Sequence, residues 1–254
     1  MTEDDIRLAE RLADAAGAAI RPFFRARFER ETKADASPVT EADRAAEAAM
    51  RAIINAERPR DGIIGEEYGR ERDDAERVWV LDPIDGTRSF IAGRPIFGTL
   101  VALVEAGRPV LGVIDQPIAR DRWVGAAGRR TLFNGAEAQT RRCCLLASAH
   151  IGTTGPRLFQ PDEQGRFDAV GAAAGDILWG GDCHNYGLVA SGHLDAVVEA
   201  GLKLYDFAAL VPVVEGAGGR MTDWQGATLT SDSKGQVIAA GDAALIDQMV
   251  ALLA

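Results

Sequence analysis

The sequence predicts a layered α/β protein, and three observations carry that expectation. Between residues 98 and 126, apolar runs are separated by tight polar turns, the pattern of an antiparallel meander. From about residue 145 onward, strand-like and helix-like runs alternate, the pattern of helices laid over a sheet. With 254 residues, 47% of them hydrophobic and 26% charged, the chain can bury a full core as one large domain or two fused lobes.

Taking the elements in order, Ile6, Leu8, Ala9, Leu12, Ala13, Ala16, Ile20 and Phe23 follow helical spacing, so an amphipathic helix is expected over 4–25. A second is expected over 41–57, where Thr40-Glu41-Ala42-Asp43 has the look of a capping box. Trp79-Val80-Leu81 reads as a buried strand. Pro83 fixes its own φ and has no N–H to donate, so that strand should stop near Asp82. The meander follows, with strands at 98–104, 109–115 and 122–126. The second half reads as a strand over 145–149, helices over 167–174 and 182–191, and a strand over 194–199. A helix over 206–216, strands at 220–222 and 236–240, and a final helix over 243–253 complete it. Residues 1–135 are expected to form an α+β lobe and residues 136–254 an α/β lobe, fused into one compact unit with a cleft between them.

The formal charge of −10, with no basic run, argues against nucleic-acid binding. Cys143, Cys144 and Cys183 are too few and too poorly spaced for a zinc site or a disulfide framework, which points to a reducing compartment, the cytoplasm. Thr2-Glu3-Asp4-Asp5 lacks the basic start of a signal peptide, and no apolar run reaches the length of a membrane span.

The chemistry concentrates in Trp79-Val80-Leu81-Asp82-Pro83-Ile84-Asp85-Gly86-Thr87, with Gly65-Glu66-Glu67 upstream. Carboxylates held in a tight turn at a strand end suit Mg²⁺, which takes oxygen ligands and keeps positions for water and phosphate. The Ile84 carbonyl can add a neutral oxygen, and backbone N–H groups around Gly86 and Thr87 can open a helix that attracts a phosphate. Each fragment also has a plain reading: Asp-Pro and Asp-Gly punctuate turns, and Glu66-Glu67 fits a solvated loop. A third acidic element, Tyr205-Asp206-Phe207-Ala208-Ala209, precedes Gly216-Ala217-Gly218-Gly219; Asp206 fits a helix N-cap, which also aims a carboxylate out of a helix mouth. An aspartyl phosphatase would need Asp-x-Asp rather than Asp-x-x-Asp, and Pro83 and Ile84 break the alternation of an EF-hand loop.

These three elements, in this order, resemble the inositol monophosphatase-like phosphatases, which are Mg²⁺-dependent and lithium-sensitive. The resemblance implies an αβαβα sandwich of the inositol monophosphatase/fructose-1,6-bisphosphatase type, usually a homodimer. It implies that Glu66, Asp82, Asp85, Asp206 and the Ile84 carbonyl bind two or three Mg²⁺ ions, with Mn²⁺ a substitute. It further implies that Glu66 and Thr87 orient the attacking water and that Asp43 stands near a third, weaker metal position. Two such ions, roughly 3.5–4 Å apart, can stabilise the attacking and leaving oxygens of an in-line phosphoryl transfer without a covalent intermediate.

Within that superfamily, Asp85-Gly86-Thr87-Arg88-Ser89-Phe90-Ile91, Gly112-Val113-Ile114-Asp115-Gln116-Pro117 and Gly180-Gly181-Asp182-Cys183-His184 most resemble the histidinol-phosphate phosphatase branch. The implied substrate is a small phosphate monoester, histidinol phosphate first, with inositol monophosphate or another sugar or nucleotide phosphate as the alternative. A metal-binding regulatory protein without turnover is a remote third. Gly86, Thr87, Arg88, Asp182, Glu199 and Asp206 are the expected substrate contacts, Glu199 matching by position the family residue that meets the organic part of the substrate. Asp182 also fits a helix cap, Glu199 an exposed strand end and Arg88 the plain surface. His184 and Asn185 are held as further pocket candidates.

Overall fold

The structure, a computed structural model, describes residues 1–26, 30–32 and 38–253; the side chains of 30–32 and 38–40 lie outside that description, and with them the Thr40 hydroxyl of the expected capping box. The first helix, α1 (Glu3–Ile20), opens on a capping box in which Thr2 N donates to Asp5 Oδ2 at 2.7 Å. It ends five residues short of the expected 25, because Pro22 cannot donate an α-helical bond and residues 21–23 tighten into a 3₁₀ turn. The first half continues with β1 (Arg30–Thr32), β2 (Pro38–Thr40), α2 (Glu41–Glu57), β3 (Gly62–Gly65), β4 (Gly69–Glu71), β5 (Arg77–Asp85) and α3 (Thr87–Ile91). It is completed by β6 (Gly98–Glu105), β7 (Arg108–Gln116), β8 (Asp121–Ala126), β9 (Leu132–Phe133) and β10 (Ala136–Glu137). The second half comprises β11 (His150–Thr153), α4 (Pro161–Ala173), β12 (Asp176–Trp179), α5 (Cys183–Ala190), β13 (Ala196–Glu199), α6 (Leu204–Phe207), α7 (Leu210–Gly216), β14 (Arg220–Thr222), β15 (Val237–Ala240) and α8 (Ala243–Leu253).

An eight-stranded sheet, ordered β10-β9-β8-β7-β6-β5-β3-β4, is antiparallel except where β3 runs beside β5. A five-stranded sheet, β12-β11-β13-β15-β14, is parallel across β12, β11 and β13 and antiparallel beyond. Helices α1 and α2 cover one face of the large sheet, α5, α6 and α7 lie between the sheets, and α4 and α8 cover the far face of the small one. The five layers are the αβαβα sandwich, and each of the three apolar interfaces is a continuous buried cluster. In the central interface α7 lies directly on β7 and β8. A Cβ at Gly112 would stand 1.9 Å from the Ala209 carbonyl oxygen, and one at Gly125 2.3 Å from that of Pro212.

Four further local expectations are corrected. β5 does not stop at Asp82 but continues through Pro83 to Asp85, because the register against β6 shifts between Asp82 and Asp85 and the bulge leaves no ladder partner for the missing N–H. The strand expected at 145–149 lies at His150–Thr153, where Ile151 pairs with both Ile177 and Ala196, while 146–148 form a 3₁₀ turn. The helix expected from 167 begins at Pro161, where the Glu163 carboxylate accepts the Gln160 N–H at 2.9 Å. The helix expected over 206–216 is two helices, so Asp206 is not an N-cap: it sits in the first turn of α6 with its carboxylate accepting the Lys203 N–H at 2.6 Å.

Candidate active site

The acidic turn is built by the end of β5. Asp82 is 1% exposed, and its Oδ1 accepts the Ile84 N–H at 3.1 Å. The Thr99 hydroxyl of β6 donates to the Pro83 carbonyl at 2.8 Å, which anchors the bulge. The Thr87 hydroxyl donates to the Ile84 carbonyl at 3.0 Å, so its oxygen lone pairs are left to accept. Gly86 has φ of +85°, the left-handed region that glycine adopts without strain, and a Cβ there would lie 2.7 Å from Asp182 Oδ2. Asp85 Oδ2 accepts the Cys183 N–H at the start of α5 at 2.6 Å, tying the turn to the other half of the chain.

Asp82, Asp85 and Asp206 bring carboxylate oxygens within 4.8 Å of one another, and Asp43, Glu66 and Glu67 do the same. The expected set is therefore divided: Glu66 groups with Asp43 from α2, although its charge still reaches Asp82 and Asp206. Glu67, given no role from the sequence, joins this second group with its side chain 2% exposed and Arg44 Nε 3.6 Å away. Its adjacency to Glu66 in a tight turn was the available signal.

Burial pushes Asp82 well above the ordinary carboxylate range, and the charges of Glu66, Asp85, Asp206 and Asp43 add to it. Asp85 is raised likewise by burial, then by Asp182 and Asp206. Asp206 is pushed up to about 7 by burial, partly offset by the Lys203 N–H. Such a set repels itself unless a proton or cation intervenes, and its donors are all oxygen, the chemistry Mg²⁺ takes. The residues therefore fit the ion. The fold binds more protons here than the unfolded chain does, so metal-free protein is expected to lose stability as pH rises from about 4 to about 7. Mg²⁺ competes with those protons and should raise the melting temperature more at about pH 8 than at about pH 5.5. Melting curves with and without Mg²⁺ at both pH values check this, and an equal or reversed increment would contradict it.

Beside the carboxylates is a cavity of about 150 Å³ lined by Asp85, Thr154, Asp182, Tyr186, Glu199 and Asp206 among others. Glu199 is 2% exposed, with Oε1 accepting the Thr154 N–H at 2.9 Å and Oε2 the Tyr186 hydroxyl at 2.8 Å. Burial pushes it up to about 7 against those two donors. Asp182 occupies the N-cap position of α5 without capping it; its Oδ2 instead accepts the Ser89 hydroxyl at 3.0 Å. It holds a positive φ of 46° after Gly180 and Gly181, a local strain of about 1–3 kcal/mol. Arg88 is exposed, and its charge, with that of Arg94, acts on Asp182. His184 does not line the cavity: its ring stands edge-on to Trp123, 5.6 Å between centroids. Asn185 holds the Gly180 carbonyl at 3.0 Å. A larger groove, about 750 Å³ beside α1 and β8, shares no residue with the two carboxylate groups or the cavity and carries a balanced mixture of Arg and acidic side chains.

Comparison with known proteins agrees with this geometry. Residues 1–253 match the Inositol monophosphatase family. The chain is 48% identical over 246 residues to a bifunctional phosphatase, IMPL2, chloroplastic, of Arabidopsis thaliana, covering 93% of this chain and 71% of that one. It is 37% identical over 237 residues to a histidinol-phosphatase of Chlorobaculum parvum, covering 92% of each. Among solved structures, an inositol monophosphatase from Zymomonas mobilis superposes with a TM-score of 0.92 at 59% identity, covering 99% of this chain and 98% of the other.

Proposed function

The chain belongs to the inositol monophosphatase family and is a phosphatase of that family, and from this premise we propose that it hydrolyses histidinol phosphate to histidinol and phosphate, as a step of histidine biosynthesis. The observation that carries the substrate is a carboxylate pair, Glu199 and Asp182, lining the cavity beside the metal-type cluster. Histidinol offers an ammonium and an imidazole, and such a pair suits cationic groups. The relative from Chlorobaculum parvum, a histidinol-phosphatase, supports it.

Asp82, Asp85, Asp206, Glu66, Asp43 and the Ile84 carbonyl are the residues that would hold Mg²⁺. When bound, Mg²⁺ neutralises phosphate charge and makes a water more acidic. Glu66 and Thr87 orient the attacking water, Thr87 as an acceptor because its own proton is committed to the Ile84 carbonyl. The N–H groups of Gly86, Thr87 and Arg88, which helix geometry leaves without intrahelical partners, face the phosphate, with the Arg88 side chain at the rim. The water oxygen bonds to phosphorus, the ester P–O bond breaks, and the departing alkoxide takes up the proton that the water gives up. Glu199, fixed by Thr154 N–H and Tyr186, receives the organic cation together with Asp182. We further propose that the enzyme is a lithium-sensitive homodimer that works in the cytoplasm, in keeping with three cysteines held as free thiols. Among the described residues no helix is long and apolar enough to cross a membrane.

The second reading, inositol monophosphate, is favoured by the Zymomonas mobilis likeness. Phosphate release with Mg²⁺ from histidinol phosphate, inositol 1-phosphate, fructose 1,6-bisphosphate and 3′-phosphoadenosine 5′-phosphate separates the two. A marked preference for histidinol phosphate is the expected result; inositol-selective or indiscriminate release would overturn the substrate and leave the reaction class standing. Glu199→Gln should raise KM for histidinol phosphate about tenfold and that for inositol 1-phosphate less than about threefold, since only the former meets a carboxylate with a cation. Equal losses on both would remove Glu199 from recognition.

A further inference from the structure

One fully buried carboxylate beside the site has been given no part in the chemistry above. Glu47 lies on α2 one helical turn beyond Asp43, on the same face, and is 0% exposed. It does not belong to either group of converging carboxylates. Its oxygens are occupied by donors: Oε2 accepts the Glu67 N–H at 2.7 Å, and Oε1 accepts the Tyr68 N–H at 3.1 Å and Arg51 Nε at 2.7 Å. One further turn along the helix, Arg51 completes the grip. Its Nη2 donates to the Gly69 carbonyl, and its Nη1 reaches Glu71 Oε2 at 3.4 Å.

The segment so held is the loop between β3 and β4, which carries Glu66 and Glu67. The Glu66 N–H donates to the Leu81 carbonyl of β5 at 3.2 Å, so three successive amides and the next carbonyl are all fixed from neighbouring elements. Gly65 is what lets the carboxylate come so close: a Cβ there would stand 2.0 Å from Glu47 Oε1. Without such a hold, a loop bearing two carboxylates next to Asp43 and Asp82 would relax away from like charge. The two backbone N–H bonds oppose that relaxation and cost no reorganisation when a cation arrives.

We propose that Glu47, clamped by Arg51, is a positioning residue that presets the Glu66–Glu67 turn for divalent-metal binding. It acts through the backbone of the turn and touches neither metal nor substrate. The proposal rests on the metal reading of the acidic groups. It predicts a selective fault: weaker metal binding, with substrate KM at saturating metal close to that of the parent and kcat falling less than metal affinity does.

The test is Mn²⁺ affinity of the substrate-free protein, followed by the electron paramagnetic resonance signal of free Mn²⁺, alongside the Mg²⁺ dependence of phosphate release and the melting temperature. Glu47→Gln keeps the shape but turns an amide toward donors that need an acceptor, and should weaken Mn²⁺ binding by about 10–100-fold. Arg51→Gln leaves the two amide bonds in place and should weaken it severalfold, which serves where Glu47→Gln fails to fold. Folded Glu47→Gln protein with Mn²⁺ affinity within about twofold of the parent would overturn the proposal, as would unchanged affinity in Arg51→Gln if Glu47→Gln does not fold. A parent protein that binds no Mn²⁺ would overturn the metal reading itself and the positioning role with it.

Discussion

Replacing Asp85 by Asn is expected to lower Mg²⁺-dependent phosphate release by at least about 10³-fold while leaving the fold in place. The carboxylate faces Asp182 and Asp206, and burial already holds it above its ordinary range. An amide of the same shape keeps an oxygen for the Cys183 N–H, which now meets Asp85 Oδ2 at 2.6 Å. What it loses is the charge with which Asp85, on the proposed metal reading, would hold a hard cation. Removing one of several repelling buried carboxylates should also leave the metal-free protein melting no lower than the parent, while the Mg²⁺-induced gain in melting temperature shrinks. Phosphate assays over a Mg²⁺ series, read beside melting curves, check both halves. An Asp85→Asn enzyme that turns over with normal metal dependence would remove the metal mechanism.

Gly112→Ala is expected to be among the costliest single methyls in the protein, destabilising by about 3 kcal/mol and lowering the melting temperature by about 6–12 °C. The added carbon would sit 1.9 Å from the Ala209 carbonyl oxygen, and a backbone atom cannot step aside as a flexible side chain does. Displacing Ala209 also moves Asp206, three residues earlier, so metal affinity should fall with stability. Gly165→Ala is the control: it lies within α4 with nothing within 4 Å of the added carbon, and alanine's helix preference should make that change neutral or stabilising. Equal melting temperatures for the two variants would show that the central layer does not press on β7.

Much of the candidate site was legible because its residues are local in sequence. Asp82, Ile84, Asp85, Gly86 and Thr87 lie in one short run, 82–87, and a turn of that composition has few uses besides punctuation. The helix over 41–57 and the meander were legible because their periodicity is unbroken. What the sequence hid is decided by partners far along the chain. The passage of β5 through Pro83 depends on the register of β6, and the placement of β11 depends on pairing with β12 and β13. Asp182 does not make the cap its position suggested, because its carboxylate accepts the hydroxyl of Ser89, a partner 93 residues away. Glu47 gave one faint signal, its helical spacing from Asp43; that it holds the amides of residues 67 and 68 could not be read without the hairpin.

The bare contact between α7 and the large sheet also bears on how the molecule moves. Layers that meet through side chains can shear by small rotamer adjustments, each chain sliding a little in its groove. At Gly112 and Gly125 there is no side chain to adjust, and backbone lies on backbone. Sliding there would drive carbonyls into a strand, so the central helical layer is locked to the large sheet. Motion near the site then falls to short segments, the turn ending in the half-exposed Tyr68 and the Gly180-Gly181 turn before Asp182. Motion on that scale belongs to loops, nanoseconds to microseconds, rather than to the slower sliding of one layer over another.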